Sequence, residues 1–154
     1  MELQELVPLE AVVAALRVSS KKQALQELSA RAADLTGLDS REILDVLLER
    51  EKLGTTGVGQ GVAIPHGKLS GLDRLYGVVA RLVQPIDFDS VDEQPVDLIF
   101  LLLAPESAGA DHLKMLAKVS RLLRDRAICD KLRKAEGPDA IHALLATQET
   151  PSAA

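Results

Sequence analysis

The sequence contains little of the material that builds disulfides, metal sites or aromatic surfaces. Among 154 residues there are one cysteine and no tryptophan, and the only aromatic side chains are Tyr76, Phe88 and Phe100. Cys129 alone excludes an internal disulfide, indicates a reducing compartment and is interpreted as a small core residue. The three histidines are far apart in the sequence, and no local ligand pair accompanies them. A zinc site is therefore disfavoured.

Long apolar runs and an excess of positive charge are also missing. No uninterrupted apolar run approaches the length of a membrane span, and no charged-then-apolar leader opens the chain. The net charge is −5, from 18 basic and 23 acidic residues, which disfavours nucleic acid as the main partner. We therefore expect a cytoplasmic protein without a membrane span.

The apolar residues that are present predict one α/β domain over residues 1–154. The pattern beginning at Ser20 is a capping box, and the helix that follows it is predicted to end near Gly37. A second helix is predicted from Asp39, with a stop at Gly54. Residues 1–18 indicate a strand or an irregular edge. The order of helices and strands predicts an α/β sandwich.

The second half of the chain supplies the longer strands. A strand is predicted from Leu75 to Val83, broken at Gln84–Pro85, and another from Val96 to Leu103, ended by Ala104–Pro105. Three helices follow. The first is predicted to begin after Asp111 as its N-cap, the second to run from about Arg126 to Lys134, and the third to begin at Pro138. Residues 3–147 are predicted to be ordered and residues 148–154 to form a frayed tail.

The stretch Gly54–Lys68 carries the most chemical information. It holds four glycines within eight residues, followed by a short β-branched strand, Val62–Ile64. Pro65 should end that strand, which delivers His66 at the point where a rigid sheet meets a mobile loop.

His66 has two interpretations. A hydrogen-bonded structural loop histidine is the default for an isolated histidine. However, a neutral imidazole is also a good nucleophile near pH 7, and backbone N–H groups of a glycine-rich loop can bind an anion. Gly67 clears space beside the ring, and Lys68 either adds positive charge or is a solvated surface lysine. A nucleophile and an anion-binding loop without metal ligands suit phosphoryl transfer better than hydrolysis.

Two further residues are candidates for the same site. His112, at a helix start and on its apolar face, is either a buried histidine with satisfied hydrogen bonds or a partner aimed at His66. In the second case it would bind the phosphoryl oxygens and hold the His66 tautomer. Arg50 borders a buried helix face, so it either binds phosphate or is an exposed arginine with a buried stem. His142 is interpreted as a surface residue.

Three segments resemble one known family. R-E-K-L-G-T-T-G-V-G-Q-G-V-A-I-P-H-G-K (Arg50 to Lys68), Q-P-V-D-L-I-F-L-L-L-A-P (Gln94 to Pro105) and H-L-K-M-L (His112 to Leu116) resemble the mannitol/fructose-type IIA proteins of the bacterial phosphoenolpyruvate-dependent phosphotransferase system. The closest match is to their nitrogen-regulatory IIA branch. The resemblance extends from about residue 3 to residue 147.

This resemblance implies a single-domain α/β/α sandwich with a mixed parallel and antiparallel sheet. It also implies that His66 accepts a phosphoryl group from the phosphohistidine of an HPr-like carrier, that His112 is the second active-site histidine and that Arg50 is a site arginine. No metal or organic cofactor is required. The glycines implied to form the phosphoryl-binding pocket are Gly57, Gly59, Gly61 and Gly67.

Three functions remain open at this point. A free-standing chain, without a fused IIB domain or a membrane domain, favours a phosphocarrier that regulates target proteins by its phosphorylation state. The alternative is a fructose- or mannitol-specific IIA carrier that passes the phosphoryl group to a IIB domain. In both cases the chain is a component of a transfer chain rather than a stand-alone enzyme. The third possibility is a binding module in which His66 is structural.

Overall fold

A computed structural model describes residues 1–147 of the chain, so the predicted frayed tail lies outside the described residues. Six helices and six strands follow one another in an α/β order. The helices are α1 (Leu3–Leu6), α2 (Lys21–Thr36), α3 (Ser40–Lys52), α4 (Ala110–Arg124), α5 (Arg126–Lys134) and α6 (Pro138–Thr147). The strands are β1 (Val12–Leu16), β2 (Gly57–Gly59), β3 (Val62–Ala63), β4 (His66–Leu69), β5 (Tyr76–Ile86) and β6 (Val96–Pro105).

The strands form one mixed sheet in the order β1-β5-β6-β3-β2, and β4 also pairs with β6. Strand β6 is antiparallel to β5 and parallel to β3 and β4. Its near-continuous apolar run is buried along almost its whole length, as expected for a strand that is covered on both faces. The helices flank this sheet, which confirms the predicted α/β/α sandwich.

Three of the predicted helix boundaries are set by the capping residues named above. The Ser20 Oγ accepts a hydrogen bond from the Gln23 N–H at the start of α2, and Gly37 ends this helix in the left-handed conformation, with φ of 78°. The Asp39 carboxylate accepts from the Arg41 N–H at the start of α3. Helices α2 and α3 pack against each other, and α3 packs against β4. The C-terminal end of α3 is thereby placed beside the short strands that carry the glycines.

Three expectations about element ends were wrong. Strand β5 continues through Pro85 to Ile86, because the pairing with β1 has already ended at Leu82 and the missing N–H of proline leaves no bond unmade on that side. Strand β6 likewise includes Ala104–Pro105. Asp111 is not the N-cap of α4: Gly109 occupies that position, and Asp111 lies in the first turn, where a carboxylate suits the helix dipole.

The N-terminal segment, predicted as a strand or an irregular edge, combines both kinds of structure. Helix α1 and a 3-10 turn at Leu9–Ala11 precede the edge strand β1. Within residues 1–147, no helix has both the length and the apolar character that crossing a bilayer requires.

Candidate functional site

His66 lies inside the sheet rather than in a loop. It is the first residue of β4, and it pairs with Leu102 of β6 in the same parallel direction as β3. Pro65 interrupts the two short strands without ending their course along β6, because its carbonyl accepts the Leu102 N–H at 3.0 Å. His66 therefore begins a second short strand and does not follow the first strand as part of a mobile loop. The half-buried ring is held more rigidly there than a loop would hold it.

Both ring nitrogens of His66 have partners. The Nδ1 atom lies 2.8 Å from the Ile64 carbonyl oxygen, and the Arg50 Nε donates to Nε2 at 3.3 Å. A carbonyl oxygen only accepts, so Nδ1 carries the proton and Nε2 keeps its lone pair. The group that fixes the tautomer is thus the Ile64 carbonyl. The second interpretation of His112 had assigned this role to His112, and the structure does not support that part of it. The ring nitrogen that keeps a lone pair, and that could therefore act as a nucleophile, is Nε2.

Arg50 reaches His66 from the last turn of α3. Its Nη1 donates to the Gly54 carbonyl at 2.8 Å, which fixes the guanidinium while Nε points at the histidine. The half-buried side chain therefore belongs to the site, and it is not an exposed arginine of the kind considered above.

His112 is buried in the first turn of α4 beside His66. The two ring centroids are 5.8 Å apart and the rings are tilted by 47°. Its Nδ1 is buried and has no hydrogen-bond partner among residues 1–147, so the ring is not the fully satisfied core histidine of the default interpretation. An unpaired buried nitrogen is costly to the fold, which is typical of functional positions.

Burial and neighbouring positive charge make both rings poor proton acceptors. Burial lowers the pKa of His66 below 6.5, and the Arg50 guanidinium lowers it further, against the opposing effects of the Ile64 carbonyl and the Glu51 carboxylate. The pKa of His112 is lowered by burial first, then by His66 and Lys68. Both imidazoles are accordingly neutral at pH 7, the state in which His66 can attack an electrophile.

Three of the predicted pocket glycines belong to the β2–β3 hairpin. A Cβ at Gly57 would overlap Ser90, and one at Gly61 would lie 2.6 Å from the Arg133 Nη2. Gly59 and Gly61 have φ of 105° and 81°, values that favour glycine. Packing and turn geometry thus give a structural reason for these three glycines, beside the phosphoryl-binding role that the resemblance implies.

Gly67 has a separate structural role within the site. A Cβ there would overlap the Val46 Cγ1 on α3, so the absence of a side chain allows this helix to approach β4. Val46 and Arg50 are four residues apart and share one helix face. The close approach therefore helps to place the guanidinium against His66.

Three residues around His66 were missed by the sequence reasoning. Thr56 and Ile64 act through backbone groups, which residue types do not reveal. The Glu51 carboxylate accepts hydrogen bonds from both the N–H and the hydroxyl of Thr56. For Glu51, the position next to Arg50 at the end of an amphipathic helix was the only sequence feature that could have indicated a role near His66.

Residues 5–148 match the family described as "Phosphoenolpyruvate-dependent sugar phosphotransferase system, EIIA 2". The chain belongs to this EIIA 2 family.

Relatives and solved structures of EIIA 2 proteins agree with both the sequence and the fold. A nitrogen regulatory protein from Bradyrhizobium diazoefficiens is 62% identical over 146 residues, which cover 95% of each chain. The crystal structure of the nitrogen regulatory protein IIA-Ntr from Neisseria meningitidis superposes with a TM-score of 0.89 at 36% identity, covering 93% of this chain and 98% of that one. The mannitol IIA structure from Escherichia coli gives a TM-score of 0.72 at 21% identity over 88% of this chain and 96% of its own, a likeness in fold.

The remaining candidates of the EIIA 2 chain lie as follows. Lys68 is exposed on β4 and contributes positive charge near His112. Cys129 is buried, as predicted, and its thiol donates to the Leu123 carbonyl. His142, predicted to be a surface residue, is half-buried, and its Nε2 is buried without a hydrogen-bond partner in the part of the chain that the structure describes. No group of three or more His, Cys, Asp or Glu residues within 1–147 is arranged to hold a metal ion.

Proposed function

We propose that this chain is a nitrogen-regulatory IIA component of the phosphotransferase system. It accepts a phosphoryl group on His66 from the phosphohistidine of an HPr-like carrier, and its phosphorylation state determines which partner proteins it binds. The observation that carries the proposal is the pair of bonds on the His66 ring. The Ile64 carbonyl holds the proton on Nδ1, while Nε2 is left with a lone pair that faces the Arg50 guanidinium.

The transfer is a displacement at phosphorus. His66 Nε2 attacks in line, the new Nε2–P bond forms as the donor's ring nitrogen–phosphorus bond breaks, and the donor ring leaves with the electron pair of that bond. His66 keeps its Nδ1 proton throughout, and the Ile64 carbonyl stabilises the positive charge that the ring gains. Because donor and acceptor are both imidazoles, the step is close to isoenergetic and reversible.

Charge on the equatorial oxygens is offset by groups that surround Nε2. The Arg50 Nε now donates to the lone pair, so it must turn toward the incoming oxygens as the Nε2–P bond forms. His112, 5.8 Å away between ring centroids and near the N-terminus of α4, is placed to donate a further hydrogen bond. Positioning and electrostatic stabilisation supply most of the catalysis in phosphoryl transfer. The backbone amides from Gly57 to Gly61 are the third proposed contribution.

Phosphorylation would also change how the surface around His66 meets other proteins. A phosphoryl group adds about −1.5 to −2 charges at pH 7, on a chain whose net charge is already −5. The two nitrogen regulatory proteins described above support a regulatory output over a transport one. The regulated partner is thus a protein that distinguishes the two charge states of the site.

The proposal is tested by labelling. The chain is incubated with radiolabelled phosphoenolpyruvate and the general phosphotransferase carriers, and we expect one phosphate per chain, stable to base and labile to acid. His66→Ala should abolish the label. His142→Ala is the matched control, because it removes the same side chain from α6, and it should be labelled like the wild type. Label retained in His66→Ala would refute the assignment.

The family description itself favours a second candidate, since it names a sugar phosphotransferase system. In that case the chain would pass its phosphoryl group to a fructose or mannitol IIB domain. The labelled protein is mixed with such domains, and loss of label within seconds would support transport. Retention of label in the presence of every IIB domain, together with binding of a target protein that depends on phosphorylation, would support regulation.

A further inference from the structure

Glu51 is a nearly buried carboxylate beside the proposed nucleophile that has no part in the mechanism so far. Its side chain is only 7% exposed, although the next residue in the sequence after Arg50 would be expected to face solvent at a helix end. The carboxylate turns back over the chain that leaves α3. There it accepts hydrogen bonds from the Thr56 N–H at 3.0 Å, the Thr56 hydroxyl at 2.5 Å and the Lys21 Nζ at 2.9 Å.

Thr56 connects this carboxylate to the ring of His66 through two hydrogen bonds that both involve the backbone of Ile64. The Ile64 N–H donates to the Thr56 carbonyl at 2.9 Å. The carbonyl of the same Ile64 accepts from His66 Nδ1 at 2.8 Å. Thr56 itself is 3% exposed, so water does not compete for these bonds. An unbroken series of hydrogen bonds thus leads from Glu51 to the nitrogen that determines the tautomer of His66.

We infer that Glu51 is a positioning residue for His66: by holding Thr56 it fixes the Ile64 carbonyl, and that carbonyl keeps the proton on Nδ1 and the lone pair on Nε2. The inference deepens the proposed function and rests on it for one consequence only, the rate of phosphoryl uptake. Its structural consequence, the tautomer of His66, can be measured without any phosphoryl donor.

Lys21 completes the arrangement from α2. Its ammonium group lies 2.9 Å from the Glu51 carboxylate and 4.8 Å from the centroid of the Phe88 ring, which is fully buried. This ion pair holds the carboxylate in place while it accepts both Thr56 hydrogen bonds. Because Phe88 belongs to the loop between β5 and β6, helix α2, helix α3 and this loop meet at Lys21.

A merely structural carboxylate and a positioning carboxylate predict different results. Loss of a structural group lowers the stability of the fold and leaves the protonation pattern of a distant ring unchanged. Loss of a positioning group moves the Ile64 carbonyl and lets the His66 proton exchange between Nδ1 and Nε2. The ratio of the two tautomers of the neutral His66 ring, measured above pH 7.5, therefore distinguishes the two roles of Glu51.

The experiment compares four variants by nitrogen-15 NMR of the histidine rings at pH 8. Glu51→Ala removes all three bonds, Glu51→Gln keeps an oxygen for the Thr56 N–H, and Thr56→Val removes only the hydroxyl. Glu49→Gln is the matched control, since Glu49 lies on the same helix, is 72% exposed and pairs with Lys52. Urea unfolding of each variant measures stability, and the initial rate of phosphoryl uptake measures activity.

We expect the wild type to show the Nδ1–H tautomer and Glu51→Ala to change the ratio of the two tautomers by about fivefold, the effect of one lost hydrogen bond. Glu51→Gln and Thr56→Val should change it less, and Glu49→Gln not at all. Uptake by Glu51→Ala should be on the order of tenfold slower, because a displaced nucleophile reacts poorly. If Glu51→Ala does not fold, the tautomer ratios of Glu51→Gln and Thr56→Val test the inference instead.

An unchanged tautomer in every folded variant would overturn the inference, even where stability or uptake falls. A wild-type ring protonated on Nε2 would overturn it as well. A shifted tautomer in a protein that takes up no phosphate, wild type included, would leave Glu51 as a positioning residue and refute the proposed function. The two failures are therefore distinguishable.

Discussion

The backbone of Gly67 on β4 packs directly against the Cγ1 methyl of Val46 on α3. This contact determines how closely the helix approaches the sheet at the site. Arg50 lies one helical turn after Val46, and its Nε reaches the neighbouring His66 at 3.3 Å. A single glycine thus sets the distance between the arginine and the histidine on which the proposed chemistry depends.

Replacement of Gly67 by alanine should separate the two elements. The new methyl group would overlap Val46, so we expect the free energy of unfolding to fall by about 1–3 kcal/mol, as for other overpacked contacts. Arg50 would move away from His66, and phosphoryl uptake should slow. Urea unfolding and the labelling assay measure the two effects.

The double variant Val46→Ala/Gly67→Ala provides the internal check, because removal of the valine methyl groups makes room for the new one. It should recover part of both stability and rate relative to Gly67→Ala. Gly137→Ala is the external control, since a Cβ there meets nothing within 4 Å. Equal losses in the single and double variants would contradict the packing explanation.

Arg50→Lys should slow uptake without unfolding the protein. Lysine keeps the positive charge but cannot donate to the Gly54 carbonyl and to His66 at once in the geometry of the guanidinium. Loss of one oriented donor to a transition-state oxygen costs about 10²–10³ in rate. Single-turnover uptake kinetics measure the change. Arg41→Lys on the same helix, an exposed residue paired with Asp45, should react at the wild-type rate.

The two histidines and the arginine could be predicted as neighbours from the sequence because each had a positional signal. His66 follows a glycine cluster and a proline, His112 begins an amphipathic helix, and Arg50 borders an apolar face. The Ile64 carbonyl could not be identified, because a backbone acceptor has no residue-type signature. Its role depends on Pro65 carrying the chain from one short strand into the next, a geometry that appears only once both strands pair with β6.

The fold was predictable where local rules decide. The helix ends at Ser20, Gly37 and Asp39 follow from capping chemistry, which acts within a few residues. The strand that continues through Pro85 was not predictable, since proline lies there where the pairing with β1 has ended at Leu82 and the register with β6 shifts between Arg81 and Ile86. Which strand neighbours which is a long-range property that local sequence does not contain.

Phosphoryl uptake should keep its full rate to a lower pH than it would with an exposed histidine. Burial and Arg50 lower the pKa of His66 below 6.5, so the reactive neutral ring persists as the pH falls through that value. We expect a constant rate from pH 8 to about 6.5 and a decline only at lower pH. Proton NMR titration of the His66 ring should give a midpoint that coincides with the decline, and a midpoint above 6.5 would contradict the burial explanation.

The same lowered pKa values make the fold less stable in acid. The unfolded chain takes up protons on both site histidines near pH 6.5, whereas the folded chain takes them up only at lower pH. The unfolded state therefore binds more protons in that interval, and the free energy of unfolding should decrease as the pH falls through it. Below the folded-state pKa values the histidine contribution should level off. Urea unfolding between pH 8 and 5 tests this, and His66→Ala should weaken the dependence.

His112→Leu should separate function from stability more sharply than the other variants. The buried Nδ1 of His112 has no hydrogen-bond partner among the described residues, and such a group costs about 1–3 kcal/mol. Leucine has a similar size and no polar atom to bury. We therefore expect unfolding at the same or a higher urea concentration, together with phosphoryl uptake slower by about 10–10², the effect of losing one donor near the oxygens.

His142→Leu is the matched control for this variant. His142 is also partly buried, and its Nε2 is likewise buried with no hydrogen-bond partner within residues 1–147, but it lies on α6. The substitution should leave uptake unchanged while stability responds as it does at position 112. A rate loss in both variants would indicate a general effect of removing buried histidines. An unchanged rate in His112→Leu would remove His112 from the site and leave Arg50 as the side chain that stabilises the phosphoryl oxygens.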